Sequence, residues 1–255
     1  MDGRIFGMKL IVCETFQGWA TQTAQLLRQE LTAHAHPVFI LPTGGTPEPV
    51  YAALVAMHRE EGLSFRSLTT YNLDEYVGLT PEHPQSYRRY MQQNLFSHVD
   101  ILPENTHVPL GCEADLEAQC RQYEQAYRAA GCADLALLGV GGNGHIGFNE
   151  PGTPFDSLTH VVRLSERTRS DNARFFMSID DVPRQALTMG LGSIQTARKI
   201  VLIATGEEKA DIVYNAFHGP VSDQLPASLL QRHPDVTVVL DTAAATRFQK
   251  KCCAG

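Results

Sequence analysis

The run Leu137-Leu-Gly-Val-Gly-Gly-Asn-Gly-His-Ile-Gly-Phe-Asn-Glu-Pro151 gathers groups that can do chemistry. An apolar stretch breaks into glycines, and His145, Asn149 and Glu150 emerge together behind them. Imidazoles and carboxylates move protons near neutral pH, and glycines let a backbone turn sharply beside a ligand. A second polar cluster, Asn72-Leu-Asp74-Glu75-Tyr76, closes another apolar stretch. An Asp there can be a general base, a metal ligand or a helix cap, and capping is favoured when it is taken alone. Beside an anion-binding loop and a His–Glu pair, a base gains weight.

The third cluster is Pro42-Thr-Gly-Gly-Thr-Pro47, with an apolar stretch before it and a helical pattern after it. Thr46 suits an N-cap and Pro47 the first helical position. Gly44 and Gly45 then offer backbone amides where the helix dipole favours an anion. The loop is not a Walker A loop, because the Lys-Ser/Thr ending is missing. By itself it reads equally well as a phosphate cradle or as a plain strand-to-helix turn. Gly139-Val-Gly141-Gly-Asn-Gly144 fits a dinucleotide-binding spacing, but the His-Ile-Gly-Phe-Asn-Glu-Pro-Gly that follows is a poor helix start. That argues against a nicotinamide cofactor.

These clusters must be positioned by alternating elements. Strands are expected at residues 9–13, 38–41, 67–73, 135–140, 199–204 and 236–240. Helices are expected at 19–33, 47–61, 84–95, 114–130, 207–217 and 242–250. Short apolar runs separated by helices indicate a parallel sheet covered on both faces. The fold class predicted is α/β, a doubly wound, mostly parallel sheet in an open, Rossmann-like three-layer arrangement, with the 255 residues forming one domain. Residues 152–183 lack clear periodicity and are expected to form a lid over the site.

Bulk properties narrow the function classes. A net charge of −7 argues against a nucleic-acid partner, without excluding a small anion held by local cations. The apolar runs are too short to span a bilayer, and no signal peptide is evident, so a cytoplasmic, membrane-free protein is expected. The six cysteines, Cys13, Cys112, Cys120, Cys132, Cys252 and Cys253, show no C-x-x-C pair and fit free thiols in a reducing compartment. The ten histidines show no metal-binding spacing, so no metal is expected.

Together these residues resemble the glucosamine-6-phosphate deaminase family. The resemblance is carried by Pro42–Pro47, Asn72-Leu-Asp-Glu-Tyr-Val-Gly78, Glu82-His-Pro-Gln-Ser-Tyr87 and Gly139–Pro151. Asn172-Ala-Arg-Phe-Phe176, Val182-Pro183, Ala186-Leu-Thr188 and Gly206-Glu-Glu-Lys209 extend it across residues 9–241. It implies a cofactor-independent aldose–ketose isomerisation of glucosamine 6-phosphate that releases ammonia by hydrolysis and leaves fructose 6-phosphate. By the family's pattern, Asp74 shuttles the proton between C2 and C1 and His145 opens the ring. Glu150 and Asn143 orient His145. Gly44, Gly45, Thr46, Arg174 and Lys209 hold the phosphate, while Tyr87, Arg169 and Glu75 are weaker candidates for the pocket wall. Some relatives are hexamers activated by N-acetylglucosamine 6-phosphate through Arg and Lys, where this chain has His160 and Val162. Weak or absent activation is therefore expected, with the choice between monomer and homo-oligomer left open. Alternatives are a galactosamine 6-phosphate deaminase, a 6-phosphogluconolactonase-like hydrolase and a non-catalytic sugar-phosphate sensor.

Overall fold

Apolar runs without polar interruption end up covered on both faces. In the computed structural model, which describes residues 2–5 and 8–249, β3 (Val38–Leu41) and β7 (Leu135–Leu138) are buried along their whole lengths. With them run β1 (Asp2–Ile5), β2 (Met8–Cys13), β4 (Thr69–Asn72), β6 (Thr106–His107), β10 (Lys199–Ala204) and β11 (Val236–Asp241). The sheet order is β1-β2-β11-β10-β7-β3-β4-β6, and β1 is the one antiparallel strand among them. The expected doubly wound, mostly parallel sheet is therefore the fold observed.

Alternate residues of each strand enter separate cores. Phe39, Leu41, Leu135, Leu137, Val201 and Ile203 pack with Trp19 and Leu27 of α1 (Phe16–Ala33) and Tyr51 and Leu54 of α2 (Glu48–Glu61). Ile40, Ala136, Leu138, Ile200 and Leu202 face Tyr123 and Tyr127 of α4 (Leu116–Ala129), the latter joined by Val213 and Phe217 of α7 (Ala210–His218). Strand alternation thus produces three layers. The remaining helices are α3 (Tyr87–Asn94), α5 (Glu166–Asn172), α6 (Leu191–Ile194) and α8 (Thr246–Gln249). The last is shorter than expected: residues 242–245 form turns, and residue 250, like Cys252 and Cys253, lies outside the described residues.

From β3 the chain winds outward through β4 and β6, and from β7 it winds the other way through β10 to β11, which lies beside the earlier strand β2. The switch therefore falls between neighbours β3 and β7, and a crevice opens at the carboxyl ends of such strands. The loops leaving those two strands are the glycine-rich runs 42–47 and 139–150.

A second, antiparallel sheet has the order β5-β9-β8, from β5 (Asp74–Tyr76), β8 (His160–Arg163) and β9 (Gln185–Thr188). It was not expected, and residues 152–183 are not irregular throughout: they hold β8, α5 and two short 3₁₀ turns. Strands of three or four residues drawn from remote parts of the chain are too short to show a hydrophobic period.

Candidate active site

At the end of β3 the backbone must turn within a few residues, and Gly44 does so at φ +98°. A Cβ at Gly44 or Gly45 would meet nothing within 4 Å. The Tyr51 hydroxyl donates to Pro42 O (2.5 Å), that of Tyr90 to Gly44 O (2.7 Å), and Asn72 Nδ2 to Leu41 O (2.9 Å). With these carbonyls tied back, the loop is held in one shape. The expected Thr46 cap is not made: Pro47 is the N-cap, and its carbonyl accepts the first helical bond from Tyr51 N (3.0 Å). No side chain caps α2, so its first-turn amides are left for an anion.

Asp74 opens β5 and is 6% exposed. Gly147 passes so close that a Cβ there would lie 3.3 Å from Asp74 Oδ2 and 3.0 Å from Thr188 Oγ1. Burial, and then the neighbouring Glu75 charge, push the Asp74 carboxyl up to about 8. Glu75 points away from the cleft, contrary to expectation, because adjacent strand residues face opposite ways. Its Oε1 accepts from Tyr76 N (2.9 Å) and Tyr87 N (3.0 Å), and its Oε2 from Arg88 N (3.1 Å).

His145 stands on a tight turn in which Gly141 N donates to His145 O (3.0 Å). A Cβ on Gly141 would lie 2.2 Å from the imidazole, so only glycine leaves room for the ring. Asn143 binds both ends of the arrangement: its Oδ1 accepts from His145 N (3.2 Å) and its Nδ2 donates to Glu150 Oε2 (2.7 Å). Glu150 Oε2 is 3.9 Å from His145 Nδ1. Its other oxygen accepts from Ser165 Oγ (3.1 Å) and from the Thr168 hydroxyl. Burial alone would raise the Glu150 carboxyl, but Thr168, Asn143, the His145 charge and Ser165 together hold it below its ordinary value. Asn149 is fully buried and donates to Ile146 O and Met189 O, both at 2.8 Å, so it fastens the loop.

These pieces line one cleft of about 450 Å³. Gly44, Gly45, Thr46, Asp74, Tyr87, His145, Arg174 and Lys209 all face it, while Asn143 and Glu150 stand behind His145. Lys209 Nζ donates to Val140 O (3.0 Å), beside the second glycine loop. Arg174 follows α5 on a short turn, its guanidinium 4.7 Å from the Phe175 ring centre. Arg169 is neither pocket wall nor exposed: it is 5% accessible and donates to Ile179 O (2.7 Å), binding its own segment together. Sequence reasoning missed Ser165, Thr168, Tyr51 and Tyr90. Only Ser165 carries a local signal, as the N-cap of α5, where its Oγ accepts from Thr168 N (3.1 Å). Gln85, Gln93 and Asn172 add polar lining.

The cleft thus combines an anion cradle with two cations, a buried carboxyl that holds a proton near neutral pH, and an imidazole backed by a carboxylate. That set can bind a phosphorylated ligand and shuttle protons at two places on it. Among the described residues, no group of three or more His, Cys, Asp or Glu side chains is arranged to hold a metal ion. Nor is any helix long and apolar enough to cross a membrane. Cys112, Cys120 and Cys132 are free thiols.

The chain matches the family described as glucosamine-6-phosphate isomerases/6-phosphogluconolactonase over residues 14–239. It is 49% identical over 238 residues to a glucosamine-6-phosphate deaminase of Bacillus velezensis, covering 93% of this chain and 99% of that protein. A solved structure described as a monomeric glucosamine-6-phosphate deaminase superposes with a TM-score of 0.92 at 46% identity, over 94% of this chain and 99% of the other. A 6-phosphogluconolactonase of Thermotoga maritima shares the fold, with a TM-score of 0.73 at 21% identity over 91% of this chain and all of its own.

Proposed function

The chain belongs to the glucosamine-6-phosphate isomerase/6-phosphogluconolactonase family, and from that premise we propose that it is a glucosamine-6-phosphate deaminase, converting glucosamine 6-phosphate to fructose 6-phosphate and ammonia. The observation that carries this reading is the placement of Asp74, His145 and the Gly44–Gly45 loop on one cleft.

The phosphate rests on Gly44, Gly45 and Thr46, with Arg174 gripping it through paired donors and Lys209 adding a point charge. The segment carrying Arg174 closes over the bound sugar as a lid. His145 moves the proton between the ring oxygen and the anomeric hydroxyl, and Glu150 and Asn143 keep its ring aligned. Asp74 then takes the C2 proton and returns it to C1. A carboxyl whose proton affinity is raised to about 8 is a stronger base toward C2 than an ordinary carboxylate, and it can still return the proton to C1. Isomerisation leaves the nitrogen on C2 as an imine, and water releases it as ammonia. The steps use the chain's own residues and no cofactor.

The test is ammonia release from glucosamine 6-phosphate with no cofactor added, and galactosamine 6-phosphate in parallel. Rapid release from the gluco sugar is expected. Release only from the galacto epimer would move the substrate, and none from either would overturn the reading.

A further inference from the structure

Glu75 is 2% exposed and belongs to the mechanism above in no direct way, yet it adjoins the proposed base. Its carboxylate accepts three backbone N–H groups, and two of them, from Tyr87 and Arg88, begin α3. A helix N-terminus favours a negative partner. From α3, Tyr87 donates to the Tyr76 hydroxyl (3.2 Å), and Tyr90 holds Gly44 O (2.7 Å). One buried acid therefore joins the strand of Asp74, the helix α3 and the anion loop.

We propose that Glu75 is a positioning residue of this reaction, clamping α3 and the Gly44 loop onto the strand of Asp74 and setting a second negative charge behind that base. The inference rests on the assignment of Asp74 as the enolising base. The groups around the pair are few. Arg88 favours ionised Glu75 while donating to Thr106 Oγ1 (2.8 Å). Tyr76 and Tyr87 lie against both acids, Tyr123 of α4 lies toward Asp74, and the packing from residues 108–111 is apolar. Burial raises Glu75 to about 7, against the pull of the backbone amides and Arg88. An ionised Glu75 adds to the burial that raises Asp74. Removing the charge at position 75 makes Asp74 easier to ionise.

The test compares kcat/KM for ammonia release from pH 5 to 10 in the unmodified protein and in Glu75→Gln. The acidic limb is expected to fall by about half a pH unit or more in the variant. KM should rise as well, because the new amide opposes Arg88 N–H. A limb that stays in place while activity drops evenly, in a less heat-stable variant, would reduce Glu75 to a structural cap and overturn the proposal. Absence of ammonia release by the unmodified protein would instead remove the assigned reaction. If Glu75→Gln does not fold, the Asp carboxyl carbons of the unmodified protein can be labelled and followed by NMR, with Asp74→Asn identifying the signal. A titration well above the ordinary Asp range is expected, and one near the ordinary Asp value would overturn the proposal.

Discussion

Asp74, the proposed base, shows how a buried acid costs the fold that carries it. Its folded value of about 8 lies above the ordinary 3.8, so between those values the native protein holds a proton that the unfolded chain has released. Stability from this group is complete at pH values below about 4 and is lost as pH rises through about 8. Asp74→Asn removes the titration. The variant should be more stable than the parent at pH 9, by roughly 1–3 kcal/mol, with the gap shrinking toward pH 5. Thermal unfolding at both pH values checks this, and an equal gap at both would remove the burial argument. The same variant should bind substrate while losing at least about a thousandfold in kcat, because the base acts in the transition state. Gly141→Ala bears on His145, the other proposed proton shuttle: its new Cβ would require the His145 ring, 2.2 Å away, to move. A loss of about a hundredfold in kcat with little change in melting temperature is expected, since misplacement of this size is costly in rate.

Among the elements, α3 and α2 serve the anion loop through tyrosine hydroxyls. Tyr90→Phe removes the donor to Gly44 O while keeping the ring that packs edge-on to Tyr51 with centroids 6.5 Å apart. One hydrogen bond is worth about 1 kcal/mol, so KM should rise about fivefold with kcat little changed. Steady-state kinetics decides, and an unchanged KM would show that the loop keeps its shape without this tie. Elements buried on both faces were legible from sequence: β3 and β10 begin and end at the expected residues, since uninterrupted apolar runs admit few other readings. The second sheet was hidden for the opposite reason. Its strand β5 reads Asp-Glu-Tyr, which looks like a solvated turn, yet all three residues are buried against β9 and α3. The proposed site residues Asp74 and His145 drew notice because they follow apolar strand runs, whereas Arg174 was reached only through the family resemblance and follows a helix. Ser165 and Thr168 could not be named, because nothing local in 152–183 reveals that this segment folds back onto Glu150.

For the whole molecule, the makeup of β8 bears on regulation. His160 and Val162 lie on β8 and pair with Thr188 and Ala186 of β9, and neither brings a permanent positive charge for a second phosphate. Saturation by glucosamine 6-phosphate should be hyperbolic, and N-acetylglucosamine 6-phosphate should not shift the curve leftward. A clear leftward shift would show that the chain has an activator site of another composition. The short helix α5 has one more consequence. One end of it supplies the hydroxyls that steady Glu150, and the chain leaving its other end carries Arg174 into the cleft. The proposed phosphate grip and the proposed alignment of His145 through Glu150 thus hang on a single lever. On the roles proposed for Arg174 and Glu150, an amino sugar lacking its phosphate should lose turnover as well as affinity, as if its credentials were checked before the ring opens; kinetics with the unphosphorylated sugar checks this.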